Sequence, residues 1–124
     1  MSQKILVADD EPNIVISLEY LLRREGYSVL IARDGQEALE TIAREHPDLV
    51  LLDVMMPKKT GFEVCQEVRA IDALASIKII MLTAKGRDTD VAKGLALGAD
   101  AYITKPFSTR ELVQKVAELL ARPA

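Results

Sequence analysis

The sequence predicts a single α/β domain, in which a parallel β-sheet is covered by helices on both faces. Five short apolar runs alternate with five segments of helical periodicity along the chain. The apolar runs are continuous rather than alternating with polar residues, which is typical of strands buried on both faces. The length of 124 residues is that of one compact domain, and we expect the domain to span residues 1–124.

The first half of the chain contains three predicted strands and two predicted helices. The strands are expected at Lys4–Ala8, Ser28–Ala32 and Asp48–Leu52. Pro12 suits the first turn of a helix, and Gly26 ends that helix. Asp34 with Glu37 can cap a second helix, which ends near Pro47.

The second half of the chain contains two more strands and three helices. The strands are expected at Ile77–Leu82 and Ala101–Thr104. Thr60 with Glu63, and Ser108 with Glu111, have the spacing of a capping box, so each pair predicts a helix start. A further helix is expected around Asp90–Leu97.

Composition and charge exclude several classes of function. The formal net charge is -3, from 16 basic and 19 acidic side chains, and no basic block suggests direct nucleic-acid binding. Cys65 is the single cysteine, which favours a reducing compartment. No stretch approaches the ~20 apolar residues of a membrane span, and the N-terminus does not resemble a signal peptide. We therefore expect a cytoplasmic protein without membrane contact.

Polar residues stand at the ends of four predicted strands. They are Asp9 and Asp10, Asp53, Thr83, and Lys105. In open α/β sheets, ligands bind beyond the carboxyl ends of the strands, where the strand order reverses. For the order 2-1-3-4-5 that point lies between the first and third strands, so the acids would flank it. This set of side chains can bind a divalent cation and hold a phosphoryl group.

The strand ends also carry a resemblance to a known family. The motifs are Asp9-Asp10, Asp53, Met56-Pro57 with Gly61 downstream, Thr83-Ala84, and Lys105-Pro106-Phe107. In this order the chain resembles the receiver domain of two-component response regulators, with a chemotaxis-regulator-like character, over essentially its whole length. The resemblance implies a flavodoxin-like (βα)5 doubly wound fold, with strand order 2-1-3-4-5 and helices on both faces.

The resemblance implies a phosphoacceptor and a metal site. Asp53 would take a phosphoryl group from a phosphohistidine on a sensor histidine kinase or a phosphotransfer protein. Asp10 and Asp53 would ligate Mg²⁺ directly, Asp9 would act through water, and the main-chain carbonyl of Met55 would complete the protein ligands. The Met55 side chain has no group that could orient an attacking water, so we expect slow self-dephosphorylation.

The resemblance also implies a switch in a bacterial phosphorelay rather than an enzyme. Lys105 would pair with Asp53 and then with a phosphoryl oxygen, and its ammonium should favour the ionised carboxylates. A cis Lys105-Pro106 bond would aim the lysine inward. Thr83 would donate a hydrogen bond to the phosphoryl group, and Tyr102 would rotate into the space that Thr83 leaves. The face of the fourth helix, fifth strand and fifth helix would then act on an effector protein or a fused output domain.

Two kinds of output remain open at this stage. The chain can be a stand-alone regulator, or a receiver fragment of a DNA-binding transcriptional regulator that forms a phosphorylation-dependent homodimer through the same face. Glu111 and Lys115 suit the charge pairs of such dimers, whereas Val91 and Ala101 stand where charged partners are often found. Arg122-Pro123-Ala124 is either a true terminus or the start of a linker.

Other functions that use similar chemistry fit the sequence less well. A Mg-dependent aspartyl-phosphate hydrolase of the haloacid-dehalogenase type wants a second acid at the position of Met55. A flavin carrier needs a phosphate-binding loop where Asp9-Asp10-Glu11 would repel phosphate. The P-loop motif is absent. Simpler structural interpretations are that Asp10 also caps the first helix, that Gly61 is a turn glycine, and that Cys65 belongs to the core.

Overall fold

The computed structural model describes residues 2–121, and strands alternate with α-helices throughout that range. The strands are β1 Lys4–Ala8, β2 Ser28–Ala32, β3 Leu49–Asp53, β4 Lys78–Ala84 and β5 Ala101–Lys105. The α-helices are α1 Pro12–Arg24, α2 Gly35–Glu45, α3 Gly61–Ala70, α4 Asp88–Ala96 and α5 Thr109–Leu120, with a 3-10 turn at Asp72–Leu74. The predicted terminus or linker at 122–124 lies outside the described residues.

The strands form one parallel sheet in the order β2-β1-β3-β4-β5, which confirms the predicted fold class. The register places Asp53 beside Leu82, and Ala84 beside Lys105. Because all strands run in one direction, their carboxyl ends meet at the same edge of the sheet. This edge therefore collects the polar residues that follow the apolar runs.

Each face of the sheet has its own hydrophobic core, because successive strand residues point to opposite faces. Leu6, Val50 and Met81 pack with residues of α2 and α3, whereas Ile5 and Leu51 pack with residues of α1 and α5. Within α4 only one residue, a glycine, is buried. The fourth helix is thus the least firmly anchored of the five.

None of the helices in the part of the chain that the structure describes is long and apolar enough to cross a membrane.

Side chains cap three of the helices as the sequence indicates. The capping box of Thr60 and Glu63 is complete, with both reciprocal hydrogen bonds present. Ser108 accepts a hydrogen bond from the Glu111 amide at 3.2 Å, which confirms its capping role. The Asp34 carboxylate likewise accepts from the amide three residues later, at 2.8 Å. These bonds satisfy amides that a helix start otherwise leaves unpaired.

Some predicted boundaries are wrong by one or two residues at the edge that carries the polar residues. The fourth strand continues through Thr83 to Ala84, and the fifth continues to Lys105. Their backbone pairing in the ladder extends the strands past the apolar side chains, which were the only signal in the sequence. The fourth helix begins at Asp88 rather than near Asp90, and no side-chain cap marks its start.

At the opposite edge of the sheet, Arg69 ties several segments together. Its Nε donates to the Gly98 carbonyl at 2.9 Å, and Nη1 donates to the Ile77 carbonyl at 2.7 Å. Nη2 contacts the Asp100 carboxylate at 2.9 Å, and that carboxylate also accepts from the Ile79 amide at 2.8 Å. One side chain from α3 thereby fixes the loops that precede β4 and β5.

Gly61 is a glycine of close approach, so its interpretation as a turn glycine is wrong. It is the first residue of α3, and positive φ values among glycines occur at other positions. A Cβ at Gly61 would collide with the carbonyl oxygen of Asp53 and lie 3.1 Å from Cα of Val54. The Gly61 amide donates to the Val54 carbonyl at 2.8 Å. The start of α3 is therefore packed directly on the end of β3.

Replacing Gly61 with alanine should lower the free energy of unfolding by about 2 kcal/mol, because the added methyl group collides with backbone that cannot rotate away. Urea denaturation measures the change. Gly94→Ala in α4 is the matched control. Its Cβ would meet the flexible side chain of Met81 at 3.2 Å, so a nearly neutral effect is expected. Equal effects of the two substitutions would contradict the close-approach explanation.

Candidate functional site

An ammonium group joins the ends of three elements at the carboxyl edge. Lys105 Nζ lies 2.8 Å from Asp9 Oδ2, 3.3 Å from Asp53 Oδ1 and 3.3 Å from Glu11 Oε1. The Asp9 side chain is fully buried and the Lys105 side chain is 16% exposed. These pairs are therefore shielded from solvent more than ordinary surface ion pairs are. The Lys105-Pro106 peptide bond is cis, as predicted.

Three acids predicted at strand ends do lie together. Carboxylate oxygens of Asp9, Asp10 and Asp53 are all within 4.8 Å of one another, close enough to share a metal ion. The expectation that Asp10 caps α1 is wrong. The N-cap residue is Glu11, its backbone is still extended, and no side chain caps the helix. Asp9 instead accepts from the Glu11 amide at 2.9 Å, and Asp10 is the exposed member of the cluster.

The charge on Asp53 is unfavourable in this arrangement. Burial, and then the neighbouring Asp9 carboxylate, raise its pKa from 3.8 to about 6, although Lys105 acts in the opposite direction. Lys105 does favour the ionised form of Asp53, as expected, but burial and the Asp9 carboxylate outweigh it. Burial also acts to lower the pKa of Lys105, but its contacts with Asp9, Asp53 and Glu11 outweigh burial and raise it. Lys105 therefore stays an ammonium.

Thr83 supplies an unpaired hydroxyl near the end of β4, which lies between the strands that carry Asp53 and Lys105. Its side chain is 1% exposed, and Oγ1 has no hydrogen-bond partner among the described residues. A buried hydroxyl without a partner costs roughly 1–3 kcal/mol, and such groups are uncommon. An acceptor atom of a ligand would remove this cost. The next residue, Ala84, is small and exposed, so it leaves the space above the strand ends open.

The strand ends open into a cavity of about 350 Å³, which some of the predicted site residues line, whereas Asp9 and Thr83 are not among its lining residues. Asp10, Asp53 and Lys105 line it, as do the unpredicted Glu11, Arg87 and Asp90. Glu11 could have been noticed as the third acid in a row after β1. Arg87 and Asp90 carried no signal, because they lie where the start of α4 was misplaced.

Two further predicted residues lie at the margins of the site. The Met55 side chain lines the cavity and is 67% exposed, while the role of its main-chain carbonyl stays a prediction. Tyr102 is 45% exposed on β5, beside Met81 of β4 in the register. It borders a surface groove of about 380 Å³ between α4, β5 and α5, which Leu95 and Lys115 also line. Its rotation as a switch stays a prediction.

Comparison with known proteins gives the same pattern. The family model of the response regulator receiver domain matches residues 5–117. A proposed response regulator from Chloroflexus aurantiacus J-10-fl is 37% identical, with a TM-score of 0.95 over 98% of this chain and 100% of that one. The chemotaxis response regulator CheY4 of Vibrio cholerae is 32% identical, with a TM-score of 0.90 over 96% of this chain and 99% of that one.

A third structure bears on the acidic cluster. The receiver domain of a sensor histidine kinase from Pseudomonas aeruginosa PAO1 is 30% identical, with a TM-score of 0.91 over 98% of this chain and 100% of that one. That structure has a magnesium ion coordinated in its active-site cleft. The family match covers most of the sequence, and the fold and the clustered strand-end residues agree with it. This chain belongs to the response regulator receiver domain family.

Proposed function

We propose that this domain accepts a phosphoryl group from the phosphohistidine of a histidine kinase or phosphotransfer protein onto Asp53, in a Mg²⁺-dependent reaction. The observation that carries the proposal is a nearly buried carboxylate with an ammonium 3.3 Å away, at an open cavity. Because the aspartate lines this cavity, a donor can reach it, and the surrounding groups can hold an anion. We propose that the receiver domain extends over residues 1–124 and works in the cytoplasm.

The acidic cluster suits Mg²⁺, which prefers oxygen ligands and usually takes one or two carboxylates. We assign Asp10 and Asp53 as direct ligands, Asp9 as a ligand through water, and the Met55 carbonyl as the last protein ligand. The pKa of Asp53 is raised by burial first and then by repulsion from Asp9, and a divalent cation would offset that repulsion, which supports this assignment. When bound, Mg²⁺ neutralises negative charge that would otherwise keep the phosphoryl group away.

The remaining chemistry depends on the residues of the chain. A carboxylate oxygen of Asp53 forms a bond to phosphorus as the phosphorus–nitrogen bond to the donor histidine breaks. No general base is required, since a carboxyl with a pKa of about 6 is largely ionised above neutral pH. Lys105 holds an oxygen of the transferred group, and the unpaired hydroxyl of Thr83 donates to another. The domain is thus a phosphoacceptor that assists its own modification, not a turnover enzyme.

A phosphoryl group at Asp53 would change the neighbouring surface. It carries about -1.5 to -2 charges in place of the single charge of the carboxylate, and it brings strong acceptor oxygens, towards which Thr83 would move. Tyr102 would then rotate inward from its exposed position. Because α4 buries only a glycine, its packing offers little resistance to a shift. We propose that this changes the partner preference of the face formed by α4, β5 and α5.

The partner on that face is proposed to be an effector protein or a fused output domain. The groove that Tyr102 borders is lined by both Glu111 and Lys115, which suits contact with a protein surface of mixed charge. A symmetric homodimer of a DNA-binding regulator is the second candidate, and the same two charges favour it. Val91 and Ala101, both partly buried, offer no charges to such a dimer.

Incubation with acetyl phosphate and Mg²⁺ should add one phosphoryl group to the protein, as measured by intact mass. Asp53→Asn should abolish the gain, because the amide is not a nucleophile at neutral pH. Asp72→Asn, at an exposed acid in the 3-10 turn, should retain it. A gain that persists in the Asp53 variant would contradict the assignment of the phosphoacceptor.

In metal-free buffer, ionised Asp53 should destabilise the folded protein. Its pKa is about 6 in the folded state and 3.8 ordinarily, so the folded state binds the proton more tightly. This contribution to the free energy of unfolding therefore falls as pH rises from about 4 to about 6, by up to about 3 kcal/mol. Asp53→Asn should lose this decrease and exceed the wild type in stability above pH 6. Parallel pH profiles from urea denaturation would contradict the prediction.

The side chain of Met55 should make the phosphoryl group long-lived, because a thioether cannot orient an attacking water. Met55→Asn introduces an amide at the same place and should speed dephosphorylation about tenfold. Met55→Leu, which stays apolar, should match the wild type. Loss of the phosphoryl group is followed by mass after the donor is removed. A wild-type half-life of only seconds, or equal rates for the two variants, would count against this role.

A further inference from the structure

Arg87 is a cation that lines the cavity of Asp53 and that the proposed reaction leaves unused. It occupies the N-cap position of α4, follows Gly86 with its positive φ of 83°, and makes no capping bond with its side chain. The side chain lines the same cavity as Asp53 and Lys105. With 57% of its side chain exposed, it has room to change direction.

The guanidinium of Arg87 is held by one acid. Its Nε lies 3.0 Å from Asp90 Oδ2, and its Nη2 lies 3.4 Å from Asp90 Oδ1. The two residues are three positions apart in one turn, and both line the cavity. We call them the Arg87–Asp90 pair. The Asp90 carboxylate orients the guanidinium of Arg87 at the rim of the cavity.

The charges around the cavity leave a large demand for a second cation. The described charged residues that line it are Asp10, Glu11, Asp53, Asp90, Lys105 and Arg87. Lys105 already contacts three carboxylates, with Asp9 nearest at 2.8 Å. Phosphorylation would replace the single charge of the Asp53 carboxylate with about -1.5 to -2 charges on the phosphoryl group, which increases this surplus of negative charge. Arg87 is the second cation that lines the cavity, and among the described ion pairs it contacts Asp90 and none of the three clustered aspartates.

We propose that Arg87 is a second phosphoryl-binding residue, which leaves Asp90 and contacts the phosphoryl oxygens once Asp53 is modified. The inference rests on the proposed function and extends it to the regulation of the same site. Asp90 holds the arginine ready while Asp53 is unmodified. No covalent bond changes, since one ion pair replaces another.

The exchange is favourable because the two ion pairs differ in strength. The Arg87 side of the Arg87–Asp90 pair is 57% exposed, and a pair three positions apart on a helix contributes only about 0.2–0.5 kcal/mol. A guanidinium can bind a phosphoryl group through two parallel hydrogen bonds, which are roughly twice as strong as neutral ones. A half-shielded cavity strengthens the second interaction further. Arg87 therefore has a weak partner to leave and a stronger one to reach.

The exchange also connects the phosphoryl group to the backbone of α4. The Arg87 carbonyl accepts from the Asp90 amide at 3.0 Å and from the Val91 amide at 3.1 Å, and these bonds form the first turn. A pull on Arg87 therefore acts on the start of a helix that is weakly anchored elsewhere. The Arg87–Asp90 pair gives this chain a second route from Asp53 to its output face, separate from Thr83 and Tyr102.

The test measures the affinity of the full chain for beryllofluoride with Mg²⁺, by titration calorimetry. Arg87→Gln should weaken binding about tenfold, as expected for loss of a charged hydrogen bond. Arg87→Lys keeps the charge without the fork and should weaken it about threefold. Arg110→Gln, which removes an exposed charge from α5, should change it less than twofold. Equal affinities of Arg87→Gln and Arg110→Gln would overturn the inference.

A double-mutant cycle tests the exchange itself. Asp90→Asn should strengthen binding more in the wild type than in the Arg87→Gln background, because only the former has an arginine to release. Equal gains would show that Asp90 does not compete for Arg87. In addition, the ¹⁵N resonance of Arg87 Nε should shift on beryllofluoride binding, and an unchanged resonance would contradict direct contact.

Failure of the inference can be told apart from failure of the proposed function. If the wild type gains a phosphoryl group from acetyl phosphate while Arg87→Gln binds beryllofluoride normally, only the role of Arg87 is wrong. If the wild type gains none, the proposed function fails, and this inference fails with it. Circular dichroism of each variant shows whether a loss of affinity reflects loss of the fold.

Discussion

The ammonium of Lys105 is the interaction on which the carboxyl edge of this domain depends. It contacts both Asp9 and Asp53, so it joins the ends of β1, β3 and β5 across the middle of the sheet. Without it, carboxylates within 4.8 Å of each other would face an uncompensated repulsion in a partly buried place. Even with it, the pKa of Asp53 stays raised, so the site keeps an unfilled demand for positive charge.

That unfilled demand distinguishes a site made for ligands from one made for stability. Two features at the same edge have the same character among the described residues: the hydroxyl of Thr83 lacks a hydrogen-bond partner, and Arg87 is paired with Asp90 while 57% of its own side chain stays exposed. Each group gains an interaction if a cation and an anion arrive together. The edge at which β4 and β5 begin shows the opposite pattern, since Arg69 there donates hydrogen bonds to several carbonyls and to a carboxylate.

The sequence was sufficient for the fold and for the core of the site, because both follow from local rules. Continuous apolar runs specify buried parallel strands, and a polar residue at the end of each run must reach the shared edge. The features that the sequence could not specify depend on distances between atoms in the fold or on the relative strength of opposing interactions. Gly61 looks like any turn glycine until α3 is packed on Asp53. The pKa of Asp53 depends on whether burial outweighs Lys105, and the start of α4 at Arg87 has no cap to mark it.

The Arg69 contacts give the two edges of the sheet different mechanical roles. The hydrogen bonds of Arg69 hold the segments that enter β4 and β5 at one edge of the sheet. The ends where these strands leave the sheet carry Thr83 and Lys105. The loops that lead into α4 and α5 begin at these ends, which the Arg69 contacts do not hold, so the two edges differ in how firmly their loops are fixed.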